Sequence, residues 1–222
     1  MFSANLIDTL LVEAPPLILA ITLHEAAHGY AAKRLGDNTA YLMGRVSLNP
    51  LRHIDPIGTV LIPVFLKLTG APFLFGYAKP VPVNFNALNN PKRDMIWVAL
   101  AGPASNLIQA FLWGLLYYLV LGTVGVNEYL TSMAQAGILW NVMLAAFNLF
   151  PIPPLDGGRI LTGLLPYRQA YQLSNLNPYI GLAVVIGLSM LGLLGPLWME
   201  PVTSATYWIL DLLLTPVRLL LN

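Results

Sequence analysis

The chain has 222 residues, a net charge of +1, no cysteine, and a composition that is 57% hydrophobic and only 9% charged. Soluble domains carry about 25% charged residues, so this chain has too few to cover a water-exposed surface, and we expect an integral membrane protein. The small net charge argues against nucleic-acid binding. The absence of cysteine leaves His, Asp and Glu as the ligands for any metal site.

Apolar stretches of about 20 residues predict the membrane spans. In chain order these stretches cover residues 10–32, 54–69, 95–121, 130–150, 179–198 and 203–220. The second stretch is short and is interrupted by Pro63 and Lys67. The last contains Asp211 and Pro216, and both a span and an interfacial helix stay open for it.

The distribution of basic residues predicts the topology. The basic residues of the connecting loops include Lys33, Arg34, Arg45, Arg52, Lys92, Arg93, Arg159 and Arg168. They fall on one side of the membrane, which the positive-inside rule makes the cytoplasmic side, only if 54–69 does not fully cross. We therefore expect a re-entrant or interfacial unit at about 40–90, with an extended edge strand near 77–86 where prolines alternate with apolar residues.

These patterns together predict the fold class. We expect an all-α, multi-pass protein of the cell membrane, with a bundle of five to six transmembrane helices and a β-containing, membrane-associated segment at about 40–90. We expect one integral-membrane domain over 1–222, with its core at about 10–165 and C-terminal helices at about 179–220.

His24-Glu25-Ala26-Ala27-His28 fits the pattern H-E-x-x-H within the first span. On a helix, residues i and i+4 share a face, so both imidazoles can reach one cation. Zinc suits this set, and the neighbouring Glu25 is placed to contact a water rather than the metal. The alternative is a polar contact between helices or a proton relay, but ionisable groups within a span are functional by default.

A catalytic zinc typically needs a third protein ligand. His53 lies between Arg52 and Asp55, and we interpret it as a solvated interfacial residue rather than as a ligand. Asp156 is the better candidate, because three prolines precede it and two glycines follow it. From the residues alone, a metal-binding role for Asp156 and a role in capping the next helix stay equally open.

Asn106, after Gly102-Pro103, and Asn148, near the end of the fourth stretch, each offer an amide within an apolar stretch. The residues favour hydrogen bonding between helices for these amides. The other interpretation is that an asparagine amide donates to the oxyanion of peptide hydrolysis.

Three motifs in this order make the chain resemble the site-2 protease family, the intramembrane zinc metalloproteases of peptidase family M50. They are His24-Glu25-x-x-His28, Gly102-Pro103-x-x-Asn106 and Asn148-x-x-Pro151 followed by Leu155-Asp156-Gly157. The stretch 44–58 also looks typical of the short bacterial and archaeal members. The PDZ or cystathionine-β-synthase-type domains of many relatives do not fit within these residues.

The resemblance implies a role for each matching residue. His24, His28 and Asp156 would bind one zinc ion per chain, Glu25 would be the general base, Asn148 would help to bind the substrate or the oxyanion, and Asn106 would act near the site in a less defined role. It also implies a membrane-spanning protein as substrate within the lipid bilayer. A regulatory membrane protein and a second copy of the chain stay open as further partners.

Two other functions stay open from the residues. A His, Glu and Asp cluster within spans also suits a proton-coupled transporter, although the inverted repeat that transporters often show is absent from the sequence. A non-catalytic relative that binds membrane helices is the third interpretation, and the intact His24, Glu25, His28 and Asp156 argue against it.

Overall fold

The computed structural model describes residues 6–62, 65, 79–123 and 127–221. In this part of the chain there are eight α-helices and no β-strand. We number them in chain order: α1 Leu6–Arg34, α2 Thr39–Leu42, α3 Pro91–Thr123, α4 Glu128–Asn148, α5 Asp156–Leu164, α6 Tyr167–Ser174, α7 Pro178–Met190 and α8 Glu200–Leu221. Single 3₁₀ turns lie at Pro50–Arg52 and Phe85–Ala87, and π-helical turns at Pro56–Leu61 and Gly195–Met199.

Helix α3 is the centre of the bundle, because it packs against α1, α4, α5 and α8. Glycines make these contacts close. A Cβ atom added to Gly114 would lie 2.4 Å from Cδ1 of Leu214, and one added to Gly137 would lie 2.3 Å from the ring of Trp113. Small residues at helix crossings are typical of membrane bundles, where close backbone approach replaces the hydrophobic effect.

Among the described residues, three helices are long and apolar enough to cross a membrane: Pro91–Gly122, Glu128–Asn148 and Gly195–Leu221. A fourth span results if the bent pair α6 and α7, which meet at 81°, is counted as one. Helix α1 is also long enough at 29 residues. Its site residues make it less apolar than the other three.

The predicted single helix at 179–198 differs from the structure, where α7 ends at Met190. The cause is local. Gly192 has φ +68°, a backbone angle that an α-helix does not use and that residues with side chains rarely adopt. A π-helical turn at Gly195–Met199 then leads directly into α8.

The prediction of a strand near 77–86 is wrong for residues 79–86, which form no strand. The chain is extended at Asn84, with φ −93° and ψ 91°, but among the described residues no strand pairs with it. Two backbone N–H groups of the segment 79–84 instead donate to carboxylates: that of Val81 to Glu25 and that of Asn84 to Asp37. Residues 63–64 and 66–78 lie outside the described part, so the re-entrant unit at about 40–90 stays a prediction.

Asp37 holds residues 79–84, here called the extended segment, against the end of α1. Its Oδ1 accepts hydrogen bonds from the backbone N–H and the hydroxyl of Thr39, and its Oδ2 accepts from the Asn84 N–H at 2.7 Å. Burial alone would raise the pKa of Asp37, but these hydrogen bonds outweigh it and lower the pKa below its usual value. Beside them, Ala32, Leu88 and Val98 form a small buried apolar cluster.

Candidate metal centre

His24 and His28 lie on one face of α1, and both are buried. Their Nε2 atoms are 3.0 Å apart. The Oδ2 atom of Asp156 lies 3.2 Å from each of them. Asp156 is 132 residues from His24 along the chain, and the fold brings the three side chains together. Among the described residues, these three form the group that could hold a metal ion.

The three distances suit a zinc ion. Zinc binds imidazole nitrogen and carboxylate oxygen at about 2.0–2.2 Å, so two ligand atoms of a tetrahedral ion stand about 3.3 Å apart. The observed separations of 3.0 and 3.2 Å are close to this value. Three such ligands leave the fourth position of a tetrahedral ion for a water or a substrate.

The partners of the two imidazoles determine which nitrogen faces the centre. His28 Nδ1 is 2.7 Å from the Val98 carbonyl oxygen, and His24 Nδ1 is 2.6 Å from Asn106 Oδ1. Both partners are acceptors, so each Nδ1 donates its proton and each Nε2 keeps a lone pair. This arrangement, with the outer nitrogen held by an oxygen, is the usual support of a metal-binding histidine.

The amide of Asn106 is oriented by a chain of hydrogen bonds. Its Nδ2 donates to the Ala20 carbonyl at 3.2 Å and to Asn141 Oδ1 at 2.9 Å, and Asn141 in turn donates to the Gly137 carbonyl. Both asparagines are fully buried. The Oδ1 of Asn106 therefore faces His24 as an acceptor.

The donor set fits a cation. Two imidazole lone pairs and a carboxylate oxygen converge on one point, and no donor hydrogen lies between them. Within the described residues, Asp156 Oδ2 is buried with no hydrogen-bond partner. Burying acceptors together in a low-dielectric interior is unfavourable unless a positive charge compensates them. A divalent metal ion provides that compensation.

Asp156 reaches the centre because α5 begins there and packs tightly. A Cβ atom on Gly157 would lie 2.1 Å from the Leu149 carbonyl oxygen, and one on Gly158 would lie 2.2 Å from the Pro153 nitrogen. Both glycines have ordinary φ values, so they provide space rather than unusual backbone angles. The N-cap residue of α5 is Leu155, and it makes no capping hydrogen bond through its side chain. Asp156 is the first residue of the helix itself, so it does not have the capping role considered for it.

Gly102 allows α3 to approach the imidazoles. A Cβ atom at this position would lie 2.4 Å from Nε2 of His28 and 2.6 Å from Cε1 of His24. In the structure Gly102 provides the space in which the two histidine rings lie.

Glu25 lies on α1 beside the centre and is partly exposed. Its Oε2 accepts a hydrogen bond of 2.8 Å from the Val81 N–H. Val81 is buried and lies between Pro80 and Pro82, which have no N–H groups. The extended segment therefore presents a single backbone donor between two prolines, and that donor contacts Glu25.

Two other candidates make their hydrogen bonds to groups other than the three ligand atoms. The Nδ2 atom of Asn148 donates to the Leu144 carbonyl of its own helix at 3.0 Å. His53 is only 1% exposed, so the prediction of a solvated residue is wrong. Its Nε2 lies 2.8 Å from the Ser47 carbonyl oxygen, because the turn at Pro50–Arg52 folds the chain back over the ring.

Sequence reasoning missed three supporting groups: the Val98 carbonyl, Asn141 and the Val81 N–H. The amide of Asn141 in an otherwise apolar helix is a signal for a buried polar contact. The lone N–H between two prolines is a signal for a specific acceptor. Backbone carbonyls within helices have no such signal, so Val98 required the structure.

The site is a buried His–His–Asp group that could hold a metal ion, between helices of a multi-pass membrane protein. Residues 14–192 match the profile of Peptidase family M50, and the chain belongs to this family. That membership confirms the family resemblance and makes the chain a membrane peptidase. No solved structure matches the chain significantly.

The chain is also similar to several named proteins. It is 43% identical over 168 residues to "Putative zinc metalloprotease YwhC" of Bacillus subtilis (strain 168), covering 73% of each chain. It is 28% identical over 199 residues to "Putative zinc metalloprotease Rip2" of Mycobacterium tuberculosis (strain ATCC 35801 / TMC 107 / Erdman), covering 88% of this chain and 71% of the other. With "Zinc metalloprotease MJ0392" of Methanocaldococcus jannaschii it shares 26% identity over 179 residues, 80% of this chain and 42% of the other.

Proposed function

We propose that the chain is an intramembrane zinc metalloprotease that hydrolyses peptide bonds within transmembrane segments of other proteins. The observation that carries this proposal is the convergence of His24 Nε2, His28 Nε2 and Asp156 Oδ2 within 3.2 Å of one another inside a helix bundle. Family membership and the names of the relatives support a protease that uses zinc.

One zinc ion per chain would be held by His24, His28 and Asp156. Zinc would supply Lewis-acid chemistry there, polarising a carbonyl and lowering the pKa of a water to about 7. Glu25 then accepts a proton from the attacking water and delivers it to the leaving amine nitrogen. The Val81 N–H holds one carboxylate oxygen of Glu25, so the other oxygen is the one that exchanges the proton.

The two asparagines differ in their proposed roles. Asn106 positions His24 through its Oδ1, which makes it a positioning residue rather than a group that contacts the substrate. For Asn148 we retain the role implied by the family, binding of the substrate or the oxyanion. Its Nδ2 atom donates to the Leu144 carbonyl, so a contact with the substrate requires this hydrogen bond to be exchanged.

The substrate is a membrane-spanning protein segment, because the site lies among apolar helices. A helical substrate must partly unwind at the cleavage point, since its own hydrogen bonds occupy the scissile carbonyl. We place the chain in the plasma membrane with its basic loops in the cytoplasm, following the positive-inside rule. Regulation by a membrane protein or by self-association belongs to the same proposal.

Substitution of Glu25 tests the proposal. The assay is release of a fluorescent reporter that a single transmembrane segment with a central helix break tethers to proteoliposomes. We expect Glu25→Gln to abolish release while zinc stays bound, and the matched variant Glu13→Gln, on the same helix, to cleave as the wild type does. Cleavage by Glu25→Gln at the wild-type rate would rule out the proposed mechanism.

A further inference from the structure

A groove of about 420 Å³ lies between α1, α3 and residues 46–48, separate from the metal centre. Its lining is almost entirely apolar and includes Leu23, Ala27, Leu48, Ile108 and Leu112. Leu48, Ile108 and Leu112 are 70%, 61% and 55% exposed, so the groove opens on the surface of the bundle. In a membrane this surface faces lipid or a neighbouring protein segment.

Gln109 differs from the other polar residues that line the groove, Tyr30, Ser47 and Ser105, whose hydroxyl groups have hydrogen-bond partners. It lines the groove from α3, and only 5% of its surface is exposed. Within the described part of the chain, neither its Nε2 nor its Oε1 has a hydrogen-bond partner. A buried amide without partners is unfavourable in a hydrocarbon environment, so its presence points to a ligand that pairs with it.

We infer that this groove binds an unwound stretch of a transmembrane protein segment, whose backbone exchanges hydrogen bonds with the Gln109 amide. The inference rests on the proposed function, because it assigns the groove to the protease's substrate. Gln109 offers one acceptor and two donors, and an unwound backbone offers both an N–H and a C=O. The ester groups and acyl chains of a diacyl lipid offer acceptors only, so the unpaired Oε1 favours a peptide.

The groove lies beside the metal centre rather than within it. Gln109 follows Asn106 by three residues on α3, about one helical turn. On α1, Leu23 and Ala27 immediately precede the ligands His24 and His28, and helical geometry places Glu25 on the opposite flank from them. The groove therefore holds a part of the substrate away from the scissile bond, and it acts as an exosite for a segment that has already lost its helical hydrogen bonds.

Thermal stability tests the unpaired state of Gln109. We expect Gln109→Leu to raise the melting temperature of the purified protein by about 2–4 °C, because it removes an unsatisfied buried amide. As the matched control, Asn141→Leu should lower it, since that buried amide has partners on both sides. A lower melting temperature for Gln109→Leu would show that the amide has a partner within the protein, and it would overturn the inference.

Peptide binding tests the ligand. The probe is a fluorescent Leu/Ala-rich transmembrane peptide with a central Asn-Pro break, and its partner is the same peptide without the break. Both are titrated by anisotropy against the zinc-loaded Glu25→Gln protein in nanodiscs. We expect Gln109→Leu to weaken binding of the broken peptide about tenfold or more, from the loss of two hydrogen bonds, and to leave the unbroken peptide unchanged.

Gln135→Leu, at an exposed glutamine of α4, is the matched control and should change neither affinity. Equal affinity of the broken peptide for the Gln109→Leu and unsubstituted proteins would overturn the inference. So would a Gln109→Leu variant that loses co-purifying phospholipid while keeping the peptide, which would make the groove a lipid site. Because binding is measured in a protein that cannot cleave, these results are independent of the reporter assay that judges the proposed function.

Discussion

The candidate metal centre and the proposed general base next to it are held in different ways. His24, His28 and Asp156 lie on helices α1 and α5, and the outer nitrogens of both imidazoles are bound by oxygen atoms of α3. Glu25 lies on the same helix as the histidines, yet it accepts its hydrogen bond from the N–H of Val81, in a segment that is neither helix nor strand. The difference indicates that metal binding and proton transfer depend on separate parts of the fold, so substitutions should separate them.

The largest effect should come from filling the space at Gly102. In Gly102→Ala the new Cβ atom would lie 2.4 Å from His28 Nε2, so the imidazoles must move. A displacement of about 1 Å can reduce activity about 100-fold, and we expect at least this loss together with weaker zinc binding. Gly187→Ala is the control, because no atom lies within 4 Å of a Cβ added there. Reporter release and zinc titration measure both variants, and a Gly102→Ala protein with wild-type zinc affinity would contradict the packing described here.

Loss of the amide that orients His24 should have the next largest effect. We expect Asn106→Leu to lower zinc affinity about 10- to 100-fold, the usual result of removing a hydrogen-bond partner of a metal-binding histidine. Competition with a zinc chelator measures this affinity. Unchanged affinity in a folded variant would mean that His24 does not need Asn106 for its orientation.

The support of Glu25 is tested by removing the backbone N–H group that donates to its carboxylate. Val81→Pro deletes the N–H that binds Glu25, whereas Val81→Ala retains it. A hydrogen bond to a charged acceptor contributes about 1.5–3 kcal/mol, so we expect Val81→Pro to lower kcat about tenfold or more at unchanged zinc content. Simultaneous loss of zinc and activity would show that the segment supports the whole site, and the separation of the two regions would fail.

The smallest effect concerns the attachment of the extended segment through Asp37. The pKa of Asp37 is lowered in the folded protein, so its hydrogen bonds contribute stability above its unfolded pKa of about 3.9, and this stability is lost as the pH falls through the folded pKa. We expect Asp37→Asn to lower stability by about 1–2 kcal/mol at pH 7, and the difference from wild type to shrink below about pH 4. Melting curves from pH 3 to 7 measure this, and a constant difference would argue against an ionised Asp37.

The chain's membrane character and part of the site could be predicted because they depend on local patterns. The spacing of His24 and His28 places both rings on one helical face whatever the rest of the fold does. The third ligand could not be derived in this way, since Asp156 meets the histidines only through the packing of α1, α3 and α5. From the residues alone its metal-binding role was one of two open interpretations, and the family resemblance was needed to choose between them.

The contacts that the sequence analysis missed are long-range. Glu25 and Val81 are 56 residues apart, and nothing local to Glu25 specifies a backbone donor from that segment. The extended shape of 79–84 was predictable from its prolines, but its partner was not, so the segment was expected to be a strand. Gly102 has its role only because α3 crosses α1 at the histidines.

The central claim is that His24, His28 and Asp156 hold one metal ion, and zinc analysis of the purified protein tests it most directly. We expect about one zinc per chain in the wild type and in Glu25→Gln, and less than about one tenth of that in Asp156→Ala. The matched variant Asp211→Ala, at an exposed aspartate of α8 that pairs with Arg218, should keep its zinc. A folded wild-type protein without zinc, or full zinc content in Asp156→Ala, would contradict the account.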